Sequence, residues 1–250
     1  MSFSVRNKLK LKRRWPLESA YIYCNTTEFL RIKGIREILH DQLNIQNVFI
    51  GELKFENTVE KILKLLENKA PIIPKIDINK KMVAKKVKSD LPILIKEFSK
   101  LDIINILYDL KNSGVFFCKY STDKSIELTE ADLSISYLPS DNHISTEKEN
   151  ILLILNISRN EDLIIKGLVR DLSRNIQQLR KELGYNPTEI LNYAYISNIS
   201  KDERIHLTKY LNDIKNLVRV KDVILSENSD NTLSYKSIDI DGKEIKIFIQ

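Results

Sequence analysis

The sequence predicts a mixed α/β (α+β) fold: duplicated helix–strand–helix–strand units with small mixed sheets and a C-terminal β-hairpin. Three observations carry this. A long amphipathic helix, from about Asn160 to Leu183, is flanked by short apolar strands on either side. Asp241-Gly242 sits between two alternating runs, Tyr235 to Ile240 and Glu244 to Ile249, which is a hairpin signal. One pattern also occurs twice: a basic segment, then an aromatic-Pro neighbourhood, then a strand, at Arg6 to Tyr23 and again at Ile176 to Tyr195. In this reading Tyr21-Ile22-Tyr23 aligns with Tyr193-Ala194-Tyr195, and each copy continues into a helix and another strand.

The elements fall into three regions. Residues 1–70 form a first α/β module with a basic N-terminal segment. Trp15-Pro16 stops any helix arriving from upstream. Ala20 to Cys24 reads as a strand, Thr26 caps a helix reaching about Leu43, Asn47 to Ile50 is a second strand, and Val59 to Leu66 has helical spacing. Residues 71–150 form a connecting segment with short helices and strands. Pro71, Pro74 and the lysines from Lys80 to Lys88 suggest an extended crossing. Helices are expected near 90–100 and 102–112, the second ending at Gly114, with strands at Val115 to Cys118 and Leu133 to Tyr137. The polar stretch Ser140 to Asn150 reads as a loop. Residues 151–250 form a second α/β module with the long basic helix and the hairpin. Ile151 to Leu155 is a strand, Ser158 and Glu161 are spaced as a capping box, and Gly184 lies just past the helix end. Strands at Ala194 to Ile196 and Val223 to Leu225 enclose a helix over Lys201 to Val218.

The composition is that of an ordinary globular chain, with 250 residues, 42% hydrophobic and 30% charged. No apolar run approaches the ~18 residues of a membrane span, and the N-terminus lacks the apolar stretch of a secretory signal. Two cysteines, Cys24 and Cys118, end strand-like runs and read as buried reduced thiols, so the chain is expected in the cytoplasm with no membrane partner. Two cysteines and three histidines form no zinc-ligand spacing, and six glycines form no phosphate-cradling loop, so no metal or cofactor is expected. His40, His143 and His206 have no partners that would make them general bases, and the catalytic list is empty.

A formal charge of +6 suggests an anionic partner, and its distribution says more than its total. Along the long helix, Ile165, Leu168, Val169, Leu172, Ile176, Leu179 and Leu183 define a buried side. Lys166, Arg170, Arg174, Gln177 and Lys181 recur at the same steps on another side, with Arg180 beside them. At 1.5 Å per residue that stripe spans roughly 22 Å, several phosphate spacings. Arginine forks onto phosphate oxygens, and Gln177 suits a ribose hydroxyl or a base edge. The densest charge lies at Arg6, Lys8, Lys10, Lys12, Arg13 and Arg14. Trp15 follows it, either as a stacking surface for a base or as a packing anchor. The bland alternative for the stripe is a solvated face partly neutralised by Asp171 and Glu182.

Glu161 to Leu172, continuing through Ile176 to Gly184, resembles the C-terminal extension of isoleucyl-tRNA synthetases of the archaeal and eukaryotic type. Val5-Arg6-Asn7-Lys8 to Arg14-Trp15-Pro16-Leu17 resembles that family's junction between anticodon-binding helices and extension, and Glu127 to Leu133 a third family stretch. The resemblance implies a non-catalytic, anticodon-side tRNA-binding region. Its partners would be isoleucine tRNA and a synthetase catalytic body, in cis or in trans. Arg6, Arg14, Trp15, Arg170, Gln177, Arg180 and Lys181 fall on matching positions. Lys166 stands where the family has glutamate, Pro74 to Leu91 lacks the family's glycine-containing pattern, and both catalytic signatures of the family are absent. The alternative is a protein-interaction module docking onto a synthetase or a ribosome-associated assembly.

Overall fold

A computed structural model describes residues 1–25, 32–230 and 232–250. The elements in chain order are helix α1 (Ser2–Lys8), strand β1 (Leu17–Cys24), α2 (Ile35–Leu43), β2 (Ile45–Glu52), α3 (Thr58–Glu67), β3 (Ile72–Ile78), α4 (Lys80–Val87), α5 (Leu91–Phe98) and α6 (Ile103–Ser113). Strands β4 (Val115–Lys119), β5 (Ser125–Thr129), β6 (Leu133–Pro139), β7 (His143–Lys148) and β8 (Ile151–Asn156) follow. The chain ends with α7 (Glu161–Glu182), β9 (Leu191–Ser197), α8 (Lys201–Thr208), α9 (Leu211–Val218), β10 (Val220–Leu225), β11 (Lys236–Ile240) and β12 (Lys243–Ile249). The mixed α/β class is as the sequence predicts. Thr26, expected as a helix cap, lies outside the described residues.

The chain divides into two compact units, Met1–Val5 with Ser19–Ser158, and Arg6–Glu18 with Arg159–Gln250. In the first, a four-stranded sheet runs in the order β2-β1-β8-β7, and two-stranded sheets form from β3 with β6 and β4 with β5. Its core gathers Ile62, Leu63, Leu94, Leu107, Leu128 and Ile154. Cys24 and Cys118 are buried and form no disulfide among the described residues. Asn57 and Asp102 cap α3 and α6 by accepting the backbone N–H of Glu60 and Ile104, and Gly114 closes α6 in the left-handed conformation.

Two expectations fail in this unit. The crossing segment is strand β3 followed by helix α4. Pro74 is accommodated because, among the described residues, β3 has a single neighbour, where it faces Tyr137, so its missing N–H need not be met from a second side. The polar stretch after Ser140 holds the edge strand β7, paired with β8 through a turn at Glu149-Asn150 in which both residues have positive φ.

In the second unit the sheet order is β10-β9-β12-β11, with β10 parallel to β9 and the others antiparallel. Helix α7 lays Ile165, Leu168, Val169, Leu172, Ile176 and Leu179 on a core with Ala194, Ile196, Ile214, Val223, Ile245 and Ile247. Leu183, expected on that side, is the exposed C-cap. The helix is capped by Asn160, whose side chain accepts from the Leu163 N–H at 2.9 Å, whereas the Ser158 hydroxyl turns to Asn156. The expected helix over 201–218 is two helices, α8 and α9.

The duplication is explicit in the backbone. Strand, helix, strand and a later hairpin give β2-β1-β8-β7 in the first copy and β10-β9-β12-β11 in the second, with 53–142 inserted in the first. The register differs by two residues from the aromatic match. Leu17 corresponds to Leu191, Ala20 to Ala194, Tyr21 to Tyr195 and Ile22 to Ile196, because the buried arginines Arg6 and Arg180 clamp the following loop alike. Arg6 donates to the carbonyls six and nine residues on, Lys12 (3.3 Å) and Trp15 (2.8 Å). Arg180 does the same to Asn186 (3.2 Å) and Glu189 (2.7 Å). Lys10 and Gly184, at matching places after the helix, both have positive φ.

Candidate nucleic-acid interface

Everything at the candidate site hangs on α7 and the segment Arg6–Glu18, both in the second unit. The segment docks on α7 through Trp15 and its basic neighbours. Trp15 is 7% exposed and donates its indole N–H to Asp171 at 2.9 Å. Its ring lies so close to Gly167 that a Cβ there would fall 2.5 Å from a ring carbon, so glycine is required at this helical position. The Arg159 guanidinium lies 4.8 Å from the ring centroid and the Lys12 ammonium 5.3 Å. Trp15 is thus an anchor in this arrangement.

Asp171 is the hub. Buried at 4% exposure, it also accepts from Lys12 (3.1 Å) and Arg14 (3.0 Å). Burial alone would raise its pKa. Hydrogen bonds from Trp15 and Lys12, the lysine's charge and the Arg14 contact outweigh that and hold the carboxyl below the ordinary aspartate value. Lys12 bridges onward to Asp241 at 2.6 Å.

Arg6 is fully buried, and its pKa is pushed down to about 10 by desolvation and by the charge of Arg170. Arg180 is 5% exposed and donates to a third carbonyl, that of Arg219, at 3.3 Å. Both guanidiniums hold backbone from inside and are withdrawn from any surface contact. Of the helix stripe, Lys166 pairs with Asp162 at 2.7 Å and Gln177 donates to the Leu217 carbonyl at 2.8 Å. Arg170 is exposed and donates to the Arg14 carbonyl at 3.1 Å. This joins the N-terminal basic segment to the stripe, a juxtaposition of residues 156 positions apart. Arg174 and Lys181 are exposed and form no ion pair among the described residues. Lys8, Lys10 and Arg13 are exposed on the N-terminal segment.

Sequence reasoning missed Arg159, whose role appears only once Trp15 is docked. It also missed Arg219, an exposed residue at φ 54° between α9 and β10. Arg219, Lys181, Gln177, Tyr185 and Leu217 surround a cavity of about 430 Å³ at the C-terminal end of α7. No local motif marks Arg219. Among the described residues no cluster of three or more His, Cys, Asp or Glu could hold a metal ion, and no helix is long and apolar enough to cross a membrane.

No family model matches the chain. It is 26% identical over its full length to the isoleucine–tRNA ligase of Saccharolobus solfataricus, covering 24% of that protein. It is 25% identical over 99% of its length to the same enzyme of Clostridium novyi, covering 22% of it. The match to the Treponema pallidum enzyme is 26% over 74% of the chain and 16% of the relative. The chain therefore spans about a quarter or less of the length of the curated relatives it matches, and is similar along its whole length to a segment of isoleucine–tRNA ligases.

Proposed function

We propose that this chain is a non-catalytic tRNA-binding module that works with a synthetase body and holds the anticodon side of isoleucine tRNA, as a C-terminal extension of the ligase does. The observation that carries the reading is the exposed row of Arg170, Arg174 and Lys181 along α7, with Arg14 drawn against Arg170. Full-length similarity to part of the isoleucine–tRNA ligases supports the substrate class. Arginines on one rigid helix offer forked donors to successive phosphates, and phosphate contacts position a nucleic acid without reading its sequence. Trp15, Asp171 and the buried Arg6 serve this indirectly by fixing the segment that carries Arg13 and Arg14. Such a module belongs in the cytoplasm, beside its tRNA.

The experiment is filter binding of total tRNA across a salt series. Arg170→Ala with Arg174→Ala is expected to weaken retention and to flatten the salt dependence by about 0.7–0.9 log unit of affinity per log unit of salt for each phosphate no longer neutralised. A thermal melt checks that the variant remains folded. Affinity and slope both unchanged in a folded variant would refute the assignment, and salt-independent co-purification with a protein would favour a docking module instead.

A further inference from the structure

We infer that the cavity at the end of α7 takes a single unstacked nucleotide, base inside and phosphate at the rim. This deepens the RNA-binding reading and rests on it. The cavity, about 430 Å³, lies in the size range of small-ligand sites. Half-buried Tyr185 and the Leu217 side chain supply an apolar and aromatic wall for a planar ring. Lys181 and Arg219 are exposed, line the same cavity and form no ion pair among the described residues, so the rim is cationic. Gln177 donates an amide N–H to the Leu217 carbonyl, which leaves its amide oxygen to accept from a base edge. Buried Arg180 adds fixed positive charge to the wall through three carbonyl contacts without being a ligand itself.

The duplication isolates these groups. The two copies share the buried arginine, the positive-φ turn after the helix and the left-handed residue before the second strand. They differ at the cavity. Where the second copy has Gln177, Lys181, Tyr185 and Arg219, the first has Phe3, Asn7, Leu11 and Asn44. Asn44 and Arg219 have the same backbone conformation, φ 52° and 54°. Asparagine is the better suited residue there, so an arginine in its place points to a use for the side chain. A paired base cannot leave its stack to enter such a cavity without melting the duplex, so the ligand is an unpaired nucleotide of RNA.

The test uses substitutions that the first copy itself contains, Tyr185→Leu and Arg219→Asn, with fluorescence anisotropy on a short single-stranded RNA and on its duplex. Tyr185→Leu changes no charge. It is expected to weaken single-strand binding about tenfold, the scale of one base–aromatic stack, and to leave duplex binding unchanged. Arg219→Asn should act in the same direction with no loss of thermal stability. Tyr185→Phe keeps the ring and should bind like the parent, which guards against a folding defect in the leucine variant. If Tyr185→Leu weakens both RNAs alike or neither, while Arg170→Ala with Arg174→Ala weakens both, the cavity assignment is overturned and the helix interface stands. If the double arginine variant alters neither RNA, it is the RNA-binding reading that falls.

Discussion

Replacing Gly167 by alanine sets two well-characterised effects against each other. Removing a mid-helix glycine favours the helix by about 1 kcal/mol. Here the added methyl would meet three atoms of the Trp15 ring at 2.5, 2.8 and 2.9 Å, well inside van der Waals contact. The ring has little freedom to retreat, since its N–H is bonded to Asp171 and the Arg159 and Lys12 cations lie against it. Overpacking of this kind costs about 1–3 kcal/mol, and stretching a hydrogen bond to a buried carboxylate costs about 1.5–3 more. Strain exceeds propensity, and the net loss expected is about 2 kcal/mol. For a unit near 100 residues that lowers the melting temperature by about 10 °C. Circular dichroism melts measure the shift. Trp15, the chain's sole tryptophan, reports its own exposure by a red-shifted emission. Combining Gly167→Ala with Trp15→Leu should cost less than the sum of the two changes, because the second removes the clash. A melting temperature equal to or above the parent's, with unchanged emission, would mean that the indole does not rest on Gly167.

Two further outcomes follow from the same hub and clamp. The Asp171 carboxyl is held below its ordinary value, so its contribution to stability is full above the unfolded aspartate pKa of about 4 and is lost as the pH falls through the lower folded value. Denaturation at a series of pH values should therefore show Asp171→Asn less stable than the parent by a constant margin at neutral pH, with the gap closing on acidification; a gap widening in acid contradicts the assignment. Arg180→Lys replaces a fork serving three carbonyls with one ammonium, and a loss of about 2–3 kcal/mol is expected in urea denaturation, whereas Lys181→Gln next to it should stay within about 0.5 kcal/mol. Equal effects of the two would show that Arg180 is not the clamp.

What could be read from the sequence was what is decided locally. The buried side of α7 follows from helical spacing, and Asp241-Gly242 closes β11 and β12 with two left-handed residues, as such a dipeptide does. Strands β3 and β7 were hidden because both are one-sided. Pro74 is tolerated where no second strand needs its N–H, and the polar run His143–Lys148 is an edge strand defined by its partner β8. The basic stripe was legible as a pattern, but the fate of each charge was not. Arg6 and Arg180 look like surface cations in the sequence, and their partners are backbone carbonyls, which carry no sequence signal. Lys12 and Arg14 are tied to an aspartate more than 150 positions away. The repeat was visible, yet its aromatic match was out of step by two residues, because the shared feature is the arginine clamp and its loop.

That clamp bears on how a chain with a net charge of only +6 could present a strong local field. Two of its arginines are withdrawn into the protein, and Asp171 binds two more cations, yet this use of charge is structural: Arg6 and Asp171 fix the Arg6–Glu18 segment on α7, Arg180 fixes the loop after α7, and Arg170 bonds the Arg14 carbonyl. Along the rest of α7 the acids sit at the two ends, Asp162 on Lys166 and Glu182 on Lys236. Between them Arg174 and Lys181 are exposed and form no ion pair among the described residues, so their charge faces solvent or a ligand. A polyanion laid there would gain from every one of these cations while disturbing none of the ion pairs that hold the fold.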